Sequence, residues 1–421
     1  MKGTIILLTK WFPFNLGEAP AEAFLENEIF VLAQEATAVI VFALDASENA
    51  ETTVELPDHV EAYPVMGSKI SKYLNLLRCS LREAFKPLPE TKNERNAIKG
   101  LKRKAYLTYF TGKSDYYIER LCRVIYKHKI HLKDSDMIYN FWFYTYARVA
   151  VYLKQKEAIN ARICSRAHRY DLYANQYKMN YLPLRPWLLD HMQYVFPCSE
   201  DGSNYLKSNY PQYSNKIITA YLGSSDYGIE KSENKSEIFS IVSCSRLVPV
   251  KRVSLLLSAL VCLEERHPEL RFCWTHLGGG ELYTRLCAKE KKRLHHNKAF
   301  ITGTIPNREI ISFYRDHYID LFINVSESEG LPLSIMEASS FGIPVLATDV
   351  GGTKEIVENG INGWLIQKEV TAEKLGEKIY QIWNMDQEQL QNMRIEARKR
   401  WEEKFLIKEN TKNMLRFCRG Q

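Results

Sequence analysis

No pair among the nine cysteines has C-x-x-C spacing, and nine is odd. A disulfide framework or a zinc ribbon needs thiols in regular pairs. The scattered set from Cys79 to Cys418 therefore reads as buried free thiols of a reducing compartment. Long apolar runs are missing too. The opening stretch "MKGTIILLTKWFPF" has only about half a dozen apolar residues in succession, too few for a signal peptide or a membrane span. It reads as a first β-strand, and a cytoplasmic location is the expectation. There is no low-complexity tract and no internal repeat, which excludes solenoids and disordered tails. The G-x-G-x-x-G fingerprint is also absent, so a nicotinamide dinucleotide enzyme finds no support.

What is present is the composition of a globular protein, 45% hydrophobic and 25% charged over 421 residues. That length exceeds one ordinary core and predicts two domains. The net charge of +7 is unevenly spread: residues 67–133 hold 17 Lys and Arg against 5 Asp and Glu, a net of +12. Such a segment suits an anionic membrane, a phosphorylated substrate or nucleic acid, or is a solvated pair of helices. No nucleic-acid-binding motif accompanies it, so nucleic acid is not expected as a partner. The pair His295–His296 follows a run of lysines and arginines and reads as a solvated helix end.

From residue 238 onward, apolar runs and amphipathic stretches alternate. "EIFSIVSCSRL", "LRFCWTHLG", "AFITGTI", "DLFINVS", "PVLATDV" and "GWLIQ" read as strands, with helices such as "VSLLLSALVCLEERHP", "GELYTRLCAKEKKRL" and "LPLSIMEASSF" between them. The first half gives strands at "TIILLTK", "TAVIVFAL", "MIYNFWF", "ARICSRAH", "YVFPCSE" and "KIITAYLG". This alternation predicts an α/β fold of two Rossmann-like, doubly wound domains facing a central cleft. The boundaries are 1–223, a polar linker at 224–237, 238–400, and a C-terminal helix at 401–421 that packs back on the N-terminal domain.

In such sheets ligands bind beyond the carboxyl ends of the strands. The loops there carry Arg246, Gly278–Gly280, Ser326–Gly330 and Gly351–Gly352. In "ESEGLPLSIMEA" the carboxylates of Glu329 and Glu337 are separated by seven mostly apolar residues. Pro332 suits the first position of a helix, where the free amides around Gly330 and Leu331 favour an anion. Glu337 is the single charge in "SIMEASSF", and a carboxylate can hold a vicinal diol such as ribose. Arg246 and Lys251 in "SRLVPVKR" can neutralise a diphosphate. In "LGGGEL", Gly279 and its neighbours let backbone come close to a phosphate. "DSD" competes as a metal motif, but Asp134 and Asp136 precede their strand instead of following it, so no metal site is assigned.

As a set these motifs resemble the retaining glycosyltransferases of family 4, which have the GT-B fold. "SRLVPVKR", "LGGG", "ITGTIPNREIISFY", "ESEGLPLSIMEA" and "GIPVLATDVGGTKEIVENGINGWLI" match in order and spacing over nearly all of 238–367. The resemblance implies Glu337 on the ribose of a sugar nucleotide, Glu329 near hydroxyls of the donor sugar, and Arg246 with Lys251 on the diphosphate. "FPFNLGEAPAEAFLENEI" looks like the family's first loop, with Gly17 alone where a pair of glycines is common. "CSRAHRYDLY" looks like the segment of the active-site histidine, which makes His168 the candidate, flanked by Arg166 and Asp171. The implied activity is metal-independent, cofactor-free transfer of a hexosyl group to a glycan or lipid-linked acceptor. A nucleotide sugar is the donor and UDP the expected nucleotide. An anionic membrane surface is expected to meet residues 67–133, at the inner face of the cell membrane. Two rivals are a sugar-nucleotide epimerase, which needs no acceptor, and a non-catalytic nucleotide or lipid-binding module, which would bind donor without turnover.

Overall fold

The computed structural model describes residues 3–14, 22, 24–52, 54–92, 94, 98, 100–134, 136–177, 179–228, 237–290 and 294–420. The chain divides into two compact units, Met1–Tyr221 with Lys408–Gln421, and Leu222–Ile407. Each is built on one six-stranded sheet whose paired strands are all parallel.

The first unit contains β1 (Thr4–Thr9), β2 (Ala38–Ser47), β3 (Val60–Met66), β4 (Met137–Asn140), β5 (Arg162–Ala167) and β6 (Tyr194–Pro197), in the order β3-β2-β1-β4-β5-β6. Strands buried on both faces need apolar residues at consecutive positions. In β1, Ile6 and Leu8 face one core with Phe42, Ile138 and Val149, while Ile5 and Leu7 face another with Val39, Ile29 and Leu32. The second core is completed by Met414, Leu415 and Cys418 of the helix Ile407–Arg419. The preceding helix, Gln387–Lys404, belongs to the second unit. So residues 401–421 divide between two helices, with Phe405 and Leu406 between them.

The second unit contains β7 (Phe239–Cys244), β8 (Phe272–Leu277), β9 (Lys298–Ile301), β10 (Leu321–Asn324), β11 (Val345–Thr348) and β12 (Gly363–Ile366), in the order β12-β11-β10-β7-β8-β9. This repeats the first sheet's order. In each, the third and fourth strands in the sheet are the point where the chain reverses direction of travel, β1 beside β4 and β7 beside β10.

Several expectations need correction. "KIITAYLG" is not a strand; only Ile217 bridges to Val195. The strand Val60–Met66 was hidden because Pro64 interrupts its apolar run, and as the edge strand β3 it tolerates the missing N–H. "GELYTRLCAKEKKRL" gives a single helical turn, Tyr283–Arg285, and a π-helical turn, Leu286–Glu290. Among the described residues there, Leu286 is fully buried and Leu282, Cys287 and Leu294 are partly buried against the same core, while residues 291–293 lie outside the described residues. His295 and His296 lie in a bend. Their N–H groups and that of Asn297 donate to the Glu264 carboxylate at 2.6, 3.0 and 2.8 Å. Within the linker, residues 229–236 lie outside the described residues. Ser224 is no free tether: it bridges to Leu406, and its hydroxyl accepts from Trp401 Nε1 at 2.8 Å.

Candidate active site

In the second unit the loop after β7 runs from Ser245 to Arg252. Its shape depends on glycine. A Cβ on Gly278 (φ +136°) would stand 2.1 Å from Ser245 O, and one on Gly279 would stand 2.4 Å from Thr304 Oγ1. Leu247 N–H donates to Gly279 O at 2.8 Å, which docks the two loops on each other. Beneath them, His276 is fully buried and lies 2.8 Å from Ser243 Oγ and 3.1 Å from Ser245 O. Burial lowers its pKa to about 4. A neutral ring therefore donates to the Ser245 carbonyl.

Lys251 closes a one-turn 3₁₀ helix that Pro249 starts. Arg252, next in the chain, holds a left-handed backbone (φ 47°), which a non-glycine residue keeps only when its surroundings enforce it. Here its guanidinium enforces it, donating to Val325 O at 2.7 Å and Lys368 O at 2.6 Å. Glu327 N–H donates to Val250 O at 2.8 Å. The loops following β7 and β10 are thereby joined by backbone and side chain together.

This joining brings two predicted residues into contact. Lys251 Nζ lies 2.6 Å from Glu329 Oε1, and Asn324 Nδ2 donates to the same oxygen at 3.2 Å. Glu329 is buried, and Gly351 and Gly352 pack behind it: a Cβ on Gly351 (φ +52°) would meet Glu329 O at 2.1 Å, and Gly352 N–H donates to Gly330 O at 2.8 Å. The helix Leu333–Ser340 follows, with Pro332 at its N-cap and no side-chain cap. Gly330 is half-buried and Leu331 buried at its approach. Glu337, buried on this helix, accepts a hydrogen bond from Asn307 Nδ2 at 2.8 Å. Cys244, at the end of β7, has its thiol pushed up to about 12 by its own burial first and then by the Glu337 charge. Arg246 is exposed on the β7 loop.

In the first unit, Gly17 lies outside the described residues. His168 follows β5 and is buried among the rings of Phe141 and Trp142, with centroids at 4.6 and 4.8 Å. Its Nε2 lies 3.0 Å from Phe141 O. Burial and the neighbouring Arg166 charge lower its pKa to about 3, so the ring is neutral, with Nε2–H donating and Nδ1 an acceptor. The flanking residues do structural work. Arg166 is fully buried and bound to Tyr139 OH at 2.7 Å, Ala220 O at 2.7 Å and Glu28 Oε1 at 3.0 Å. Asp171 accepts the N–H groups of His168 and Phe143, both at 2.5 Å. Asp134 and Asp136 are likewise engaged with backbone: Asp134 accepts Asn160 N–H at 2.8 Å, and Asp136 accepts Lys133 N–H at 2.8 Å.

Sequence reasoning missed Asn307, Asn324, Arg252 and Glu22. Glu22 clamps the first unit's reversal point. Its carboxylate accepts the N–H groups of Lys10, Trp11 and Phe12 after β1, at 3.0, 2.8 and 2.7 Å, and Trp142 Nε1 after β4 at 2.5 Å. The one available signal was a glutamate-rich run following the first strand. A depression of about 790 Å³ lined by Arg266, Ile366, Glu373, Glu377 and Lys378 also lies in the second unit, but it holds none of the candidate residues.

Residues 228–400 match the family model described as Glycosyl transferases group 1. The GtfA subunit of the UDP-N-acetylglucosamine–peptide N-acetylglucosaminyltransferase of Streptococcus agalactiae is 29% identical over 185 residues, 43% of this chain and 35% of the relative. The O-antigen biosynthesis glycosyltransferase WbnH of Escherichia coli is 32% identical over 169 residues, 40% of this chain and 44% of the relative. The chain thus spans less than half the length of these curated relatives. Among solved structures, Anabaena Alr3699/HepE in complex with UDP superimposes with a TM-score of 0.64 at 15% identity, covering 100% of both chains. The fold is GT-B, the two-sheet architecture of glycosyltransferases. Within it, the second unit is similar to group 1 glycosyl transferases.

Proposed function

We propose that the protein moves a hexosyl group from a nucleotide diphosphate sugar, with UDP as nucleotide, to a hydroxyl of a glycan or lipid-linked acceptor. The reaction serves assembly of a surface polysaccharide and retains the anomeric configuration, as in family 4. One observation carries this reading: the Lys251–Glu329 pair sits where strand order reverses between β7 and β10, inside the segment that matches the glycosyl transferase model. The Anabaena structure bound to UDP and the O-antigen relative support the choice of donor and pathway class.

In this reading Glu337, aimed by Asn307, binds the ribose hydroxyls. Arg246, Lys251 and the N–H groups around Gly330 and Leu331 receive the diphosphate. Glu329 orients hydroxyls of the donor sugar and holds Lys251 in place. The bond from the anomeric carbon to the phosphate oxygen breaks, and a bond to the acceptor oxygen forms on the same face. The acceptor proton passes to the departing phosphate. His168 offers Nδ1 as an acceptor for a sugar hydroxyl. The chain's contribution is then positioning and charge stabilisation, without a metal. The protein works at the inner face of an anionic membrane.

The test is a thermal-shift screen of UDP-, GDP-, ADP- and dTDP-sugars, since a bound donor raises the unfolding midpoint by mass action. A hit is then incubated with acceptor glycolipid, and the anomeric configuration of the product is read by NMR. A shift confined to UDP-sugars and a retained product are expected. No shift with any nucleotide sugar, or an inverted product, overturns the reading.

A further inference from the structure

The helix Lys69–Phe85 turns most of its apolar residues away from the core. Ile70, Tyr73, Leu74, Leu77, Leu81 and Phe85 recur at spacings of one, three and four and so form one face. That face is open: Phe85 is 87% exposed, Ile70 73% and Leu81 55%. Single exposed apolar residues are ordinary, but a contiguous stripe of six marks a contact surface.

The helix cannot roll to hide the stripe. Its opposite side is fixed to the helix Leu101–Lys127 at Gly112, where a Cβ would meet both Cys79 Cβ and Leu76 Cδ2 at 3.1 Å. Cys79 Sγ lies 3.3 Å from Thr111 Oγ1 on that helix. Arg78 reaches Glu119 there at 3.2 Å, and Arg82 reaches Asp115.

Charge chooses the occupant. Lys86 is exposed just beyond the helix's last residue, and Arg78, though paired with Glu119, keeps its side chain 76% exposed. The one acidic residue of the helix, Glu83, is buried, its carboxylate accepting Leu88 N–H at 3.0 Å. A second copy laid on this face would set these cations against their own kind. An anionic bilayer offers an apolar layer under negative headgroups, the order in which this helix presents its residues.

We infer that Lys69–Phe85 is an interfacial anchor: its apolar stripe enters the headgroup–acyl boundary of an anionic membrane, and Arg78 and Lys86 meet the headgroups. This rests on the membrane part of the proposed function and deepens it, because apolar insertion, not charge alone, holds the protein. It is independent of sugar transfer.

The test is co-sedimentation of the full chain with vesicles of phosphatidylcholine alone and mixed with phosphatidylglycerol, at low and high salt. Binding should be stronger on the anionic vesicles and should weaken, without vanishing, in high salt. The variant Leu77→Ser/Leu81→Ser/Phe85→Ser should lose binding by about ten-fold or more. Its unfolding midpoint should hold or rise, because the replaced residues face solvent. No binding to anionic vesicles at low salt overturns the inference, and so does equal binding by the variant. A lowered midpoint in the variant, showing that the chain itself covers the stripe, does so too. A dimer that the variant dissolves assigns the face to a second copy, and an acidic protein that competes with vesicles assigns it to a protein partner; either overturns the anchor. UDP titrated without vesicles reads the other proposal separately. A chain that binds UDP and no vesicle fails only the anchor, and one that binds vesicles and no UDP fails only the donor reading.

Discussion

Lys251 Nζ and Glu329 Oε1 are 2.6 Å apart across the reversal point of the second sheet, with side chains 23% and 9% exposed. Such a half-buried pair holds its cation in place before any phosphate arrives. Removing one partner leaves the other desolvated and unpaired, so the single variants should each cost more than the pair is worth.

Lys251→Ala should lower kcat more than it raises KM, as expected of a cation that acts on charge developing on the leaving phosphate. Glu329→Gln should impair the same step. The double variant should be less damaged than the sum of the two, with a coupling of about 0.5–3 kcal/mol. Additive losses in kcat/KM would mean that the contact plays no part in catalysis.

Glu337 and Asn307 make a second pair with a separable test. Glu337→Gln should weaken UDP binding by about 1–3 kcal/mol, the range for a hydrogen bond to a charged group. Asn307→Ala leaves the carboxylate but not its aim, and should weaken binding by less. Calorimetric titration with UDP reads both. Wild-type affinity in Glu337→Gln would remove this carboxylate from the donor site.

The strands of the second unit were legible because each is a short apolar run alternating with amphipathic or polar stretches. Glu337 was legible as the lone charge in an apolar helix. Asn307 and Asn324 were not, because an asparagine at the end of a helix or strand is common and only the fold sets these two against carboxylates 30 and 5 residues away. Arg252 was hidden beside Lys251: nothing in "VKR" tells a ligand-facing cation from one whose guanidinium ties two loops. Arg166 misled in the same way, since a buried ion pair with Glu28 depends on a contact 138 residues distant.

The glycines give a prediction about shape. Gly278→Ala and Gly351→Ala each place a methyl about where a carbonyl oxygen stands, at 2.1 Å from Ser245 O and Glu329 O. Each should destabilise the fold by roughly 1–3 kcal/mol and weaken UDP binding, because the displaced loops carry Arg246 and Glu329. Gly360 also has positive φ, but nothing lies within 4 Å of its added Cβ. Gly360→Ala should therefore cost only about 1 kcal/mol of backbone strain and leave UDP affinity unchanged. Urea denaturation with UDP titration separates the three, and equal effects at all of them would refute the loop argument.

Asp134 and Asp136 make a prediction about metal. Both accept backbone N–H groups at the start of β4, the end opposite to the ligand-binding edge of such sheets. Activity should survive EDTA, and Asp134→Asn/Asp136→Asn should lower the unfolding midpoint without changing KM for the donor. Loss of activity in EDTA, restored by Mn²⁺, would sink this assignment.

The buried histidines make a prediction about pH. His276 titrates near 4 and His168 near 3 in the folded chain, both below the ordinary 6.5 because burial disfavours the imidazolium. Between these values and 6.5 the unfolded chain binds protons that the folded chain refuses, so stability is lost as pH falls through that window. Asp171 opposes them: burial raises it to about 7, against Arg185 and the backbone N–H groups of His168, Phe143 and Asp171, so its share is present in acid and lost as pH rises toward 7. Burial also raises Glu26 and Glu94, which act in the same sense as Asp171, so the share of His276 is read by comparing the wild type with a variant that cannot titrate. For His276 alone the window spans stability on the order of 3 kcal/mol. His276→Gln keeps a donor for Ser245 O and cannot titrate. Between pH 6.5 and 4 the unfolding midpoint of the wild type should therefore lose ground to that of the variant. Parallel pH profiles for the two would show that His276 is protonated in the folded chain, and the neutral ring beneath the β7 loop would have to be abandoned.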